Sequence, residues 1–336
     1  MTTIAVDAMG GDHAPQAEVE GAVLAAREYG VAVQLVGQPN LLEWHLRSQN
    51  ANSLSIEIVP ASEVIAMDES PVKALRRKPD ASIRVATCQV RDGKAQGLVT
   101  AGHTGAAMAA VKMELGTLPG VDRPALASVF PTKRGTGAVL VDVGANVDCR
   151  PQHLQQFAIM GEVYYRVMFG VARPRVGLLS IGEEASKGNE VVRETHRRLK
   201  ESPLSFDFVG NVEGRDVFGG DVDVVVCDGF IGNVALKISE GMAEAIIALL
   251  KEALSSTLTA QVGYVLSRQA FDEFKKRLDY SEYGGVPLLG VKGVCVICHG
   301  RSNSNAIKNA IRIAAGFSAG RINEKIEREL ALAVAK

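Results

Sequence analysis

Aromatic residues are scarce in this 336-residue chain, at 5% with Trp44 the single tryptophan, and neither sign of charge is in excess, with 37 basic against 38 acidic residues. A chain with no basic field and few stacking side chains is not built as a dedicated nucleic-acid binder. Long apolar runs are missing as well. None approaches the roughly 20 residues needed to span a bilayer, so membrane association, if any, is expected to be peripheral. The five cysteines are an odd number, and Met1–Asp7 carries no basic stretch leading an apolar signal core, so a reducing cytosol is the expected compartment. No low-complexity linker or internal repeat divides the sequence. One continuous catalytic unit over residues 1–336 is expected, with two lobes at most.

What is present is a 47% hydrophobic composition, enough for a substantial core without disulfides or a structural metal, and 34 glycines gathered in short clusters. Apolar runs at 4–9, 31–37, 56–60, 97–101, 125–131, 138–143, 176–181, 207–212, 222–227 and 294–298 alternate with helical patterns. Strand alternating with helix predicts an α/β fold, a three-layer α/β/α sandwich with a largely parallel sheet covered on both faces. The longest helical tract begins near Ile231 and forms an extension over about 231–280, with breaks expected at Ser255-Ser256 and Gly263. Within it, Ala253 to Ser267 contains no charged residue, which suits a dimer-packing hairpin or a shallow membrane contact.

Open α/β sheets bind ligands where strand C-termini meet helix N-termini, and six polar, glycine-rich clusters fall at such junctions, suggesting a shared cleft floor. The first offers Asp7, Gly10, Gly11, Asp12 and His13. The glycines read as places of close ligand approach, and the carboxylates and imidazole as orienting groups. In the second, Gly102, His103, Thr104 and Gly105 open a helix whose unpaired N–H groups suit an anion. Asn146 lies in the third. The fourth leads to Lys187 and Asn189, and the fifth, with Asp228, Gly232 and Asn233, leads to Lys237. A cation beside a helix N-terminus adds a point charge for a phosphate or a developing oxyanion. The sixth groups His299, Arg301 and Ser302. Within the last strand, Cys295-Val296-Ile297-Cys298-His299 has haem-attachment spacing. Residues three apart on a strand face opposite sides, so buried, diverging thiols are the reading. No Ser/His/Asp triad follows from these spacings.

Taken together and in order, eight blocks resemble the bacterial phosphate acyltransferases of phospholipid synthesis, the PlsX family: 6–15, 67–78, 100–106, 141–149, 177–190, 210–215, 228–241 and 283–311. The resemblance covers almost the whole chain. It implies a fold like that of phosphotransacetylase and the isocitrate/isopropylmalate dehydrogenases, a homodimer, and transfer of a fatty acyl group from acyl carrier protein to inorganic phosphate. The acyl phosphate would feed a membrane-bound glycerol-3-phosphate acyltransferase, from the cytoplasm or the inner face of the membrane. No cofactor or metal is implied. The family pattern has Asn at the position of His103 and Ser at that of Arg301; both replacements keep polar donors. On this reading His13, Asn146, Lys187, Asn189 and His299 are the catalytic candidates, and the other junction residues named bind substrate. Lys73, Arg76, Arg77 and Lys78, four cations in six residues, would dock the acidic carrier. A metal- and nicotinamide-dependent dehydrogenase of the same fold and a noncatalytic lipid-synthesis scaffold are the competing readings.

Overall fold

The computed structural model describes residues 1–202, 206–278, 282 and 284–334. The end of the expected helical extension, 279–280, and Tyr283 of the last resemblance block lie outside them. The strands are β1 (Thr3–Asp7), β2 (Ala32–Gly37), β3 (Ile56–Pro60), β4 (Gly97–Thr100), β5 (Ala125–Pro131), β6 (Gly137–Val141), β7 (Arg175–Leu179), β8 (Asp207–Val212), β9 (Val224–Val226), β10 (Val286–Leu289) and β11 (Cys295–Ile297). The helices are α1 (Gln16–Tyr29), α2 (Pro39–Ser48), α3 (Pro71–Arg77), α4 (Ser82–Arg91), α5 (Thr104–Glu114), α6 (Pro151–Phe169), α7 (Glu190–Glu201), α8 (Gly229–Ser255), α9 (Leu258–Leu266), α10 (Arg268–Leu278), α11 (Ser304–Ala319) and α12 (Ile322–Val334).

One 11-stranded sheet runs in the order β3-β2-β1-β4-β11-β10-β5-β6-β9-β7-β8. Its pairs are parallel except β11 with β10, β10 with β5, and β5 with β6. Strands such as β4, β6 and β9 are buried at every position, because helices cover both faces, and their side chains are apolar except for Thr100 at the end of β4. One core cluster joins the sheet to α1, α6, α11 and α12 through Val19, Phe157, Ile311 and Ile326; the other joins it to α3, α4 and α5 through Leu75, Ala86 and Ala107. This is the expected α/β/α sandwich.

One strand is added and one expectation is corrected. Val286–Leu289, with Pro287 inside it, is a strand absent from the apolar runs given above. Proline removes one ladder donor, and the strand survives because it is short and fills the seam between β11 and β5. In the helical extension, the break at residues 256–257 falls where expected, with the Thr257 hydroxyl accepting from the Ala260 amide at 3.2 Å. The second break is at Ser267, whose N–H donates to the Gly263 and Tyr264 carbonyls. Gly263 lies inside α9, since a single glycine costs a helix only about 1 kcal/mol.

Candidate active site

The sheet sorts the six junctions into two groups of three, correcting the expectation of a single floor. The strands β1, β4 and β11 are parallel neighbours, so their C-terminal loops meet. A second trio, β6, β9 and β7, is parallel within itself but runs opposite to the first, because three antiparallel pairs intervene. The two groups therefore project from strands of opposite sense. Arg301 of the first group lies 3.9 Å from Glu244 of α8, the helix that starts in the second.

In the first group the backbones touch. A Cβ on Gly10 would lie 2.8 Å from the Gly102 Cα, and one on Gly11 would lie 2.3 Å from the Glu18 carboxylate. These glycines thus admit protein, where the sequence suggested ligand. The Thr100 hydroxyl donates to the buried Asp7 carboxylate at 2.8 Å and accepts the Gly102 amide at 3.0 Å. The Asp12 amide donates to the Gly300 carbonyl at 2.8 Å. Burial raises the Asp7 carboxyl above its ordinary range. Asp12, His13 and Thr104 stand exposed at the rim, and Ser302 is buried with its amide on the His299 carbonyl.

Two imidazoles are held alike. His103, the N-cap of α5, accepts the Gly105 amide at Nδ1 over 3.1 Å, and His299 accepts the Arg301 amide at Nδ1 over 3.2 Å. In each neutral ring the proton then sits on Nε2, a donor directed away from its own loop. The Gly105 amide, expected to be open for an anion, is therefore taken. At this turn the side chains of His103 and Thr104 and the first-turn amides of Thr104 and Ala106 are left to meet one.

The second group is organised by Asp142, which the sequence reading placed in the third cluster without a role. Its buried carboxylate accepts the amides of Leu126, Gly144, Ala145 and Asn146 at 2.8–3.1 Å. Burial nevertheless raises its carboxyl. Asn146 donates to Asp142 and to the Pro124 carbonyl through its Nδ2, so both amide hydrogens are committed and the side chain serves as a frame. The Gly229 amide donates to the Asn146 carbonyl at 2.7 Å, docking the start of α8. Asp228 caps that helix through the Ile231 amide, and Asn189 caps α7 through the Val192 amide, both at 2.9 Å. Gly232 is buried and Asn233 exposed in the first turns of α8. Lys187 is exposed and has no ion-pair partner among the described residues, whereas Lys237 is paired with Glu240 at 2.8 Å.

The basic run is split in the same way. Lys73, Arg76 and Arg77 are exposed on α3, while the Lys78 ammonium is tied to Glu69 at 2.5 Å and to the Val64 carbonyl at 2.7 Å. Pro71, the first residue of α3, lies beside Gly105, so this helix borders the first group of loops. Sequence reasoning also missed Glu18, buried behind Gly11 with one carboxylate oxygen unpartnered; burial, reinforced by Asp7 and Asp12, pushes it to about 8. Its place in a helical pattern gave no signal. The expected thiol burial is present: Cys295 and Cys298 are at most 4% exposed.

A family model described as "Fatty acid synthesis protein" matches residues 2–325. The chain is 56% identical to a phosphate acyltransferase of Acidobacterium capsulatum, covering 98% of both chains. It is 60% identical to one of Koribacter versatilis, covering 99% of this chain and 94% of the relative. Among solved structures, a phosphotransacetylase from Streptococcus pyogenes shares the fold with a TM-score of 0.63 at 18% identity, over 95% of this chain and 94% of that one. A 4-hydroxythreonine-4-phosphate dehydrogenase from Klebsiella pneumoniae shares it with a TM-score of 0.51 at 13% identity, over 95% of this chain and 98% of that one. The likeness to solved structures shows the fold alone; the full-length match shows that the chain belongs to the fatty acid synthesis protein family, with relatives named phosphate acyltransferase.

Proposed function

We propose that this chain is a phosphate acyltransferase of phospholipid synthesis, moving a fatty acyl group from the thioester of acyl carrier protein to inorganic phosphate. The observation that carries the reading is identity of 52–60% to relatives of that name over at least 97% of the chain. A dehydrogenase of the same fold is not favoured, since that likeness rests on 13–14% identity.

In the reaction a phosphate oxygen attacks the thioester carbonyl, the tetrahedral intermediate expels the thiolate, and the thiolate takes a proton. A phosphate dianion is already nucleophilic, so the protein need only position the partners and stabilise charge. Lys187 and the start of α8 around Gly232 and Asn233 offer positive potential for the anion. His103, Thr104, Arg301 and Ser302 offer hydrogen-bond donors on the opposite group of loops. His13 and His299 are proposed to donate to the oxyanion or the departing sulfur. Asn146 and Asn189 act by holding their loops, since Asn146 has no amide hydrogen left and the Asn189 carbonyl oxygen caps α7.

Lys73, Arg76 and Arg77 are proposed to receive the acidic carrier beside those loops. The apolar face of α8 and α9 is proposed to pack against a second copy, giving a homodimer, with shallow contact to the inner membrane face as its other use. No described helix is long and apolar enough to cross a membrane. Acyl phosphate made in the cytoplasm would then be consumed by a membrane-bound glycerol-3-phosphate acyltransferase. The test is thiol release from acyl-loaded carrier: it should require inorganic phosphate, and turnover that persists without phosphate rejects the reading.

A further inference from the structure

A cleft of about 470 Å³ lies outside the candidate site residues read from the sequence. It opens between the 122–124 loop before β5 and the 146–153 segment that leads into α6. The two walls are tied together by the Asn146 side chain on the Pro124 carbonyl at 2.7 Å and by the Gln152 side chain on Asp122 at 3.3 Å. The carbonyl of the same Asn146 accepts the Gly229 amide of α8, so the wall of the cleft is hydrogen-bonded to the second group of loops. Its volume falls within the usual range for a small-ligand site.

The lining has a definite chemistry. Arg123 and Arg150 are exposed to the cleft, and neither has an ion-pair partner among the described residues. Between them His153 is 6% exposed, with Nδ1 accepting the Arg150 amide at 3.1 Å. Its ring is therefore fixed, with the neutral form carrying its proton on Nε2. Burial, together with the neighbouring Arg123 and Arg150, holds this imidazole below its ordinary range despite Asp122, keeping it an uncharged donor. Asp122 and Asp148 supply acceptors on the same walls. Guanidiniums suit a phosphoryl group bidentately, and carboxylates beside them suit hydroxyl and amide N–H groups. A bare phosphate uses only half of this lining.

We infer that the cleft receives the prosthetic arm of the thioester donor, a pantetheine-type chain bearing amides, a hydroxyl and a phosphate, with the phosphate between Arg123 and Arg150. This rests on the acyl-transfer reading and locates its donor. Calorimetric titration of the full chain with phosphopantetheine and with pantetheine is the test. The phosphorylated probe should bind roughly 10–100-fold more tightly, the equivalent of one or two charge-assisted hydrogen bonds. An Arg123→Gln, Arg150→Gln variant should lose that preference, and should raise KM for the acyl carrier while leaving KM for inorganic phosphate unchanged. Equal affinity for the two probes in the unaltered protein, which needs no variant to fold, overturns the inference. So does a variant whose defect falls on KM for inorganic phosphate, which would assign the arginines to the acceptor. Absence of phosphate-dependent thiol release in the unaltered protein rejects the acyl-transfer reading instead, and the two-probe titration still decides what the cleft binds.

Discussion

A Cβ on Gly232 would lie 1.8 Å from the carbonyl oxygen of Asp142. The first turn of α8 is thereby pressed onto the loop that Asp142 organises, at a distance only glycine permits. The 27-residue helix fully buries only Gly229 and Gly232, with Ala235 and Leu236 packed part-buried against the core, so its position depends heavily on these first turns. Gly232→Ala should force α8 off the loop and destabilise the fold by about 1–3 kcal/mol or more, read as a lowered urea midpoint. Activity should fall further than stability, because the loop and helix face the proposed anion site. An alanine variant with an unchanged midpoint would show that α8 relocates at no cost.

Glu18 makes stability depend on pH in a direction opposite to most carboxylates. Its folded value of about 8 exceeds the ordinary 4.5, so the folded state holds a proton that the unfolded state has released. Its contribution to stability is therefore full below about pH 4.5 and declines between there and about pH 8, by on the order of 5 kcal/mol. The charged groups raising it are Asp7 on β1 and Asp12 in the following loop. Cys298, after β11, is buried beside it. Glu18→Gln should flatten the decline, leaving the variant the more stable of the two at pH 8 and little different near pH 5. Chemical denaturation at several pH values measures this, and parallel curves for the two proteins would refute it.

The contrast between these residues shows what a sequence reader can and cannot see. Runs such as Gly137–Val141 are legible as strands because burial on both faces demands five apolar residues in succession. Nothing in those five residues records that β6 pairs antiparallel with β5 and parallel with β9. That pairing decides that the six junctions form two groups. The glycine clusters were visible, but their partners were distant in sequence: Gly10 meets Gly102, and Gly232 meets Asp142. Asp142 read as the end of a strand, and its role depends on four amides that converge only in the folded chain. The cleft beside His153 was invisible for the same reason, since Arg123 and Arg150 lie on either side of a complete β-hairpin.

Lys187 is the exposed cation of the second group left without an ion-pair partner among the described residues. Lys187→Ala should lower kcat/KM by roughly 2–4 kcal/mol if the ammonium meets the reacting anion, with the unfolding midpoint unchanged. Steady-state rates with acyl carrier and phosphate check both parts. An unaltered rate removes Lys187 from the site.

Charge reversal on α3 separates docking from chemistry. Arg76→Glu with Arg77→Glu leaves the Lys78–Glu69 pair in place and should raise KM for the acidic carrier several-fold while kcat stays constant. The effect should shrink with added salt, because screening weakens exposed charges over about 8 Å at physiological ionic strength. A KM that does not respond to reversal places the carrier elsewhere.

The apolar face of the extension has to be covered by something. Leu258, Val265 and Leu266 are 80%, 69% and 82% exposed, and Ile238, Met242, Ile246 and Leu249 are exposed at near-helical spacing along α8. A contiguous patch of this kind marks an interface. Leu258→Glu with Val262→Glu places two carboxylates on α9, which buries no residue in its own chain, so the fold itself should be spared. If the face packs against a second copy, sedimentation velocity should show the variant as monomer where the unaltered protein is dimer. Sedimentation with liposomes separates the other use of the same surface: a variant that stays dimeric and no longer pellets with vesicles assigns the face to the membrane. A variant that remains dimeric and still pellets excludes both roles for α9, leaving the exposed stripe of α8 as the surface to alter next.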